Sequence, residues 1–196
     1  MIHLWFVGDG DLDGIMVPRL VERTLGVPVR EEVRRWPRLH GRGYEKKLRF
    51  ATLQAEDGGA GGLVATVDAD RNPERIRTLR AARDSQRTIA PSFPTALGQA
   101  EPHGEAWLLD DDVAVRTALR LPGDTEVPSV RHANTPKENL QRLHAMSTRA
   151  GEPLRDIYRD IAASVEIARC RRPRDTGFKS FADDVRAELA SLSVRR

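Results

Sequence analysis

Aspartates stand at chemically suggestive spacings in two places. Asp9, Asp11 and Asp13 alternate with other residues in Gly8-Asp9-Gly10-Asp11-Leu12-Asp13-Gly14, and Asp68 and Asp70 flank Ala69. An Asp-x-Asp turn puts two hard oxygen ligands on one edge of a site, where a divalent ion such as Mg²⁺ or Mn²⁺ relieves their repulsion. Asp and Gly also fill ordinary turns and helix N-caps, so either cluster alone reads as structural. Together they say more, because each follows an apolar run, residues 2–7 and 63–67. Runs of that kind suit parallel strands buried on both faces, and open α/β sheets bind ligands at the carboxyl ends of their strands.

Other groups could join them. Glu105 opens Gly104-Glu105-Ala106-Trp107-Leu108-Leu109-Asp110, with Asp111 and Asp112 behind it. Acids at a helix start also complement the helix dipole. His103 reads as an exposed loop imidazole. On the segment after Asp70, Arg80, Arg83 and Arg87 share an arc of about 60° at 100° per residue, and Arg169, Arg171, Arg172 and Arg174 surround Cys170. Either group could hold a phosphate backbone without reading sequence, or be a solvated, ion-paired face. Val67-Asp68 is preceded by Gly58-Gly59-Ala60-Gly61-Gly62, but this loop enters a strand instead of opening a helix, so it reads as a turn and not a phosphate loop.

The elements that must position these groups follow from periodicity. A strand over 2–7 leads to a helix starting near 15–17, since Pro18 suits only a first turn. A short strand over 29–33 and a helix over 44–54, with Leu48, Ala51 and Leu53 inward, come next. Pro73 starts a helix through Arg87, residues 89–97 alternate loosely as a strand, and 105–119 reads as one helix. Thr135-Pro136-Lys137-Glu138 has the form of a capping box, followed by helices over 136 onward, 154–167 and 178–192. Two strands separated by a helix imply a parallel α/β sheet with right-handed crossovers. The division expected is an α/β core over 1–123 and a helical extension over 124–196 packed on it, hinged at 124–128.

Composition bounds the rest. In 196 residues, 32 Lys+Arg against 29 Asp+Glu give +3, and all but four of the basic residues are arginine. That balance is far from a dedicated nucleic-acid binder, although arginine's planar fork suits phosphate. One cysteine, Cys170, excludes an internal disulfide and a Cys-based zinc cage. Without a membrane-spanning run or a signal-peptide pattern, a cytoplasmic protein with no membrane partner is expected.

The order strand, Gly8-x-x-Asp11, then strand, Asp68-x-Asp70, resembles the Toprim fold of topoisomerases, primases and OLD-family nucleases. Small stand-alone bacterial Toprim-like proteins are especially similar. They carry a Glu-Ala-Trp-Leu-Leu-x-Asp element, here Glu105 to Leu109 with Asp111 or Asp110, and a Pro-Lys-x-x-Leu helix start, here Pro136, Lys137 and Leu140. The resemblance implies a Toprim-like sheet with a helical C-terminal extension, and Mg²⁺ (or Mn²⁺) held by Asp68, Asp70, Glu105 and Asp11, with Asp11 and Asp68 catalytic. It further implies hydrolysis of nucleic-acid phosphodiesters, in phage defence or DNA processing, beside an ATPase partner and with a homodimer as one arrangement. Arg80, Arg83, Arg87, Arg171, Arg172 and Lys137 are the expected nucleic-acid contacts. One departure is sharp: the family's motif begins with glutamate, the general acid or base, and this chain has Val7 there. A degenerate scaffold that binds nucleic acid or a protein without cutting is therefore the alternative. A small-molecule phosphohydrolase, with Asp9 and Asp11 as its motif, is a third reading. The geometric expectation is that Asp11, Asp68, Asp70 and Glu105 lie within one metal's reach.

Overall fold

The computed structural model describes residues 1–70, 72–130 and 135–194. Four strands, β1 (Ile2–Gly8), β2 (Val29–Arg35), β3 (Gly62–Asp68) and β4 (Thr95–Ala100), form one parallel sheet in the order β2-β1-β3-β4. The α/β class expected from the apolar runs is the class found. Chain order reverses at β1: its crossover helix leads out to β2, and the next crossover returns to β3 on its other side. The carboxyl ends of β1 and β3 therefore flank a topological switch point, where loops diverge and leave a crevice.

Side chains along β1 alternate between two cores. Leu4 and Phe6 face one with Met16, Leu20 and Val64, while Trp5 and Val7 face the other with Leu48, Leu63 and Leu79. The first core is covered by α1 (Asp13–Leu25), α7 (Leu154–Ser164) and α8 (Phe178–Val194). The second lies under α2 (Gly43–Asp57) and α3 (Glu74–Arg87). α8 also manages the sheet edge: Asp184 accepts the Leu97 N–H of β4 at 2.6 Å, a donor that an edge strand would otherwise leave to a stray partner.

Several boundaries moved from the sequence expectation. α1 begins at Asp13, so Pro18 lies in its second turn. Leu53 faces outward at 50% exposure, because α2 buries Leu48, Ala51, Thr52 and Ala55 instead. β4 starts at Thr95 and Ile89 is 48% exposed, so the loose alternation of 89–94 carries no strand. Residues 105–119 form two helices, α4 (Glu105–Leu109) and α5 (Asp112–Leu119), broken where the Asp111 carboxylate caps the Ala114 N–H at 3.0 Å. α6 (Pro136–Met146) has Thr135 at its N-cap position, but no side-chain cap bond forms there. The capping-box expectation fails in that detail.

The Trp of Glu-Ala-Trp-Leu-Leu is a packing residue. Trp107 stacks on Phe181 of α8 with centroids 4.7 Å apart and donates its indole N–H to the Thr176 carbonyl at 2.7 Å. No helix among the described residues is long and apolar enough to cross a membrane.

Candidate metal and phosphate site

β1 ends on Gly8 because Asp13 occupies the space beside it. A Cβ at Gly8 would stand 2.6 Å from Asp13 Cβ and 2.8 Å from its Oδ2. The chain then turns through Asp9 and Gly10, and the Gly10 N–H donates to Asp13 Oδ2 at 2.9 Å, holding the carboxylate against the strand end. Asp9 turns sideways, where its Oδ2 accepts the Asp68 N–H of β3 at 2.9 Å. Asp68 in turn accepts the Gly104 N–H on Oδ1 at 3.0 Å. Gly104 also must lack a side chain, since a Cβ there would come within 1.9 Å of Met16 Cε. This close approach brings Glu105, 8% exposed, up to the same crevice.

Four carboxylates, Asp9, Asp13, Asp68 and Glu105, thus share the switch point. Burial pushes the Asp13 carboxyl up to about 6, with repulsion from Asp9 and Glu105 adding to it against the lowering hydrogen bonds. Asp68 is pushed up to about 7, first by burial and then by Asp13, with Asp9 and Glu105 adding. Asp9 is compensated, since Arg75 donates to both its oxygens at 2.8 and 3.0 Å. The same guanidinium reaches Asp70 at 2.5 Å and the Tyr44 hydroxyl at 3.1 Å. His103 Nε2 lies 2.9 Å from the other Asp70 oxygen. Asp70 holds a left-handed backbone (φ 49°), which a non-glycine residue rarely adopts outside constrained turns.

A cavity of about 250 Å³ opens on this cluster, lined by Asp68, His103, Glu105, Thr135, Lys137 and Glu138. The donor chemistry fits a hard divalent ion: oxygen ligands, an excess of negative charge, and two carboxyls whose ionised forms have no cationic partner among the described residues. The spacing is not that of a finished cage. Among the described residues no group of three His, Cys, Asp or Glu side chains is set for one metal ion.

The sequence-selected residues are only partly gathered. Asp68 and Glu105 share the crevice, and Lys137 lines its cavity. Asp11 does not join them; its side chain is 78% exposed and pairs with Arg35 at 3.1 Å, because it sits at the outer apex of the turn. Asp70 stands at the rim, held by Arg75 and His103. The four residues expected around one metal are therefore not brought together as a set. Val7 is buried in the α2/α3 core.

The arginines divide as well. Arg83 pairs with Asp184 at 2.6 Å and Arg87 with Glu188, which ties α3 to α8. Arg80 is exposed beside them. Arg171 donates to the carbonyls of Leu109, Val127 and Pro128, and Arg172 pairs with Asp175 at 2.9 Å. Arg169 meets the fully buried Asp111 at 3.0 Å. These contacts fasten the segment before α8 onto the α4–α5 junction. Cys170, in that segment, has its thiol pushed up to about 12 by burial and the nearby Asp110 and Asp111, and so is held as an unreactive thiol.

Sequence reasoning missed Asp13, Arg75 and Tyr44. Asp13 was visible as the third aspartate of its turn, with nothing to show that it, and not Asp11, points inward. Arg75 and Tyr44 carried no local signal, since their roles exist only once α2 and α3 lie side by side.

No family model and no curated protein matches this chain. Among solved structures, the C-terminal region of the OLD protein of Xanthomonas campestris pv. campestris is similar, at 17% identity over 98% of each chain and a TM-score of 0.43.

Proposed function

We propose that this chain is a Mg²⁺- or Mn²⁺-dependent phosphodiesterase acting on nucleic acid, with its centre at the β1/β3 switch point. The observation that carries the reading is the convergence of Asp9, Asp13, Asp68 and Glu105, with no cation among the described residues paired to Asp13 or Asp68. Asp68 and Glu105, which line the cavity, would hold the ion, with Asp13 adding negative charge from behind them, while Asp11 and Asp70 stand further out. A bound divalent ion there supplies charge neutralisation at a phosphate and lowers the pKa of a water. Asp9 keeps β1 and β3 ends in register through the Asp68 N–H, and Arg75 fixes Asp9 and Asp70. Lys137, at the cavity wall, offers a positive contact for phosphate oxygens. The Toprim resemblance supports the same reading, and adds a DNA-processing or phage-defence setting and an ATPase partner as its extension.

Val7 favours a second reading, a scaffold that binds nucleic acid without cutting, because the family's glutamate position is filled by a buried apolar side chain. Incubating the purified chain with labelled single-stranded DNA, duplex DNA and RNA, each with Mg²⁺ or Mn²⁺, separates the two. Metal-dependent cleavage that disappears in Asp68→Asn is the expected result. Cleavage that persists in that variant removes the assigned site, and binding without cleavage leaves the scaffold.

A further inference from the structure

Between residues 30 and 49 the chain carries eight basic and three acidic residues, a net +5 where the whole chain carries +3. None of the three acids pairs with Arg42, Lys46 or Arg49: Glu31 pairs with Arg19, Glu32 with His3 and Arg34, and Glu45 accepts the Ser85 hydroxyl at 2.8 Å. Arg42, Lys46 and Arg49 are exposed, and among the described residues none has a carboxylate partner. Their spacing of four and three puts them on one face at the start of α2. Cations there oppose the helix dipole, so helix stability does not account for them.

This face is also apolar. The three cations line a cavity of about 550 Å³ together with His40, Phe50 and Leu53. The His40 and Phe50 rings are 5.8 Å apart, and Leu53 is half exposed. The first turn of the same helix carries Tyr44, whose hydroxyl meets the Arg75 that braces Asp9 and Asp70. Tyr44 lies about 160° around the helix from Lys46 at 100° per residue, so the basic face and the side that braces the carboxylate crevice are different sides of α2.

We infer that the Arg42, Lys46 and Arg49 face of α2, with Phe50, His40 and Leu53, binds single-stranded nucleic acid. The cations take the phosphates, and the apolar floor takes an unpaired base. A duplex offers this surface phosphates alone and leaves the apolar floor unused, whereas single strands bind by combining a positive groove with ring stacking. The inference deepens the phosphodiesterase reading and rests on it for the class of substrate.

The test is fluorescence anisotropy of the full chain with labelled oligo-dT of about 20 nucleotides, longer than the ~4–16 that one compact site covers. EDTA keeps cleavage out of the measurement. Arg42→Gln/Lys46→Gln/Arg49→Gln, which alters only exposed side chains, is expected to weaken binding at least tenfold. It should also reduce the slope of log affinity against log salt by about 2, from ~0.7 per lost single-strand phosphate contact. Phe50→Ala is expected to weaken binding severalfold with an unchanged salt slope. Arg77→Gln/Arg155→Gln/Arg186→Gln removes the same charge from other surfaces and should leave affinity intact. Equal weakening by both triple variants, unchanged binding by the first, absence of wild-type binding, or a duplex bound as tightly as the single strand overturns the inference. Cleavage with patch-independent binding would remove this surface and leave the phosphodiesterase reading standing. Patch-dependent binding without cleavage would do the reverse.

Discussion

The Asp9 carboxylate accepts the backbone N–H of Asp68 at 2.9 Å, joining the ends of two neighbouring parallel strands through a side chain. The bond lies just where sheet hydrogen bonding stops and the two chains diverge toward separate helices. It commits Asp9 to a positioning role, while the Asp68 carboxylate is held by the Gly104 N–H at 3.0 Å. Arg75 balances Asp9, so among the described residues the uncompensated charge concentrates on Asp13 and Asp68.

That concentration gives a pH dependence. Both carboxyls are raised from an ordinary value near 4, to about 6 and about 7, so the folded chain holds protons that the unfolded chain has already released. Their contribution to metal-free stability is therefore greatest at low pH and falls as pH rises from about 4 to 7. Asp68→Asn keeps an acceptor for the Gly104 N–H and removes the buried charge. Denaturant melts in EDTA should show the variant more stable than wild type by on the order of 2 kcal/mol at pH 8, with little difference near pH 4. A variant less stable at pH 8 would contradict the charge assignment.

A divalent ion should reverse the sign. Adding Mg²⁺ or Mn²⁺ to the wild type at pH 8 is expected to raise Tm in a concentration-dependent way, since a ligand that binds only the folded state stabilises by mass action. The rise should shrink at pH 5, where protons compete for Asp13 and Asp68, and vanish in Asp13→Asn/Asp68→Asn. Differential scanning fluorimetry with EDTA controls reads all three. An equal rise in the double variant would place the ion elsewhere.

Arg75 makes a prediction of a different kind. Its guanidinium spans two carboxylates and the Tyr44 hydroxyl, a task for a planar fork. Arg75→Ala should cost about 1–3 kcal/mol by taking the guanidinium from Asp9, Asp70 and the Tyr44 hydroxyl, which leaves Asp9 only the Asp68 N–H and Asp70 only His103. Arg75→Lys should recover only part of that, because one ammonium cannot meet all three groups. Full recovery by lysine, measured in urea melts, would show that charge alone suffices there.

The strands and the acidic turns were legible in the sequence because their signals are local. Residues 2–7 and 63–67 are apolar but for His3 and Thr66, a pattern that suits a doubly covered parallel strand, and the aspartates after them mark where the strands end. Trp107, Leu108, Val115 and Leu119 were legible as core for the same reason. The break at Asp111 was not, because the side chain that caps α5 there also accepts the Glu166 N–H at 2.9 Å from 55 residues away.

The sequence by itself determined that this is an α/β chain with carboxylates at the ends of two parallel strands. Only the tertiary structure decided which carboxylates face each other. The turn carries Asp11 out to Arg35, while Asp13, the first residue of α1, is set inward against Gly8, a choice fixed by the path of α1 and not by residue type. The arginines show the same division. Composition supplies 28 of them, but the approach of α8 consumes Arg83 and Arg87 in ion pairs, while the outward face of α2 leaves Arg42, Lys46 and Arg49 open to a partner. Charge is written in the chain; whether a charge is spent internally depends on what the fold packs beside it.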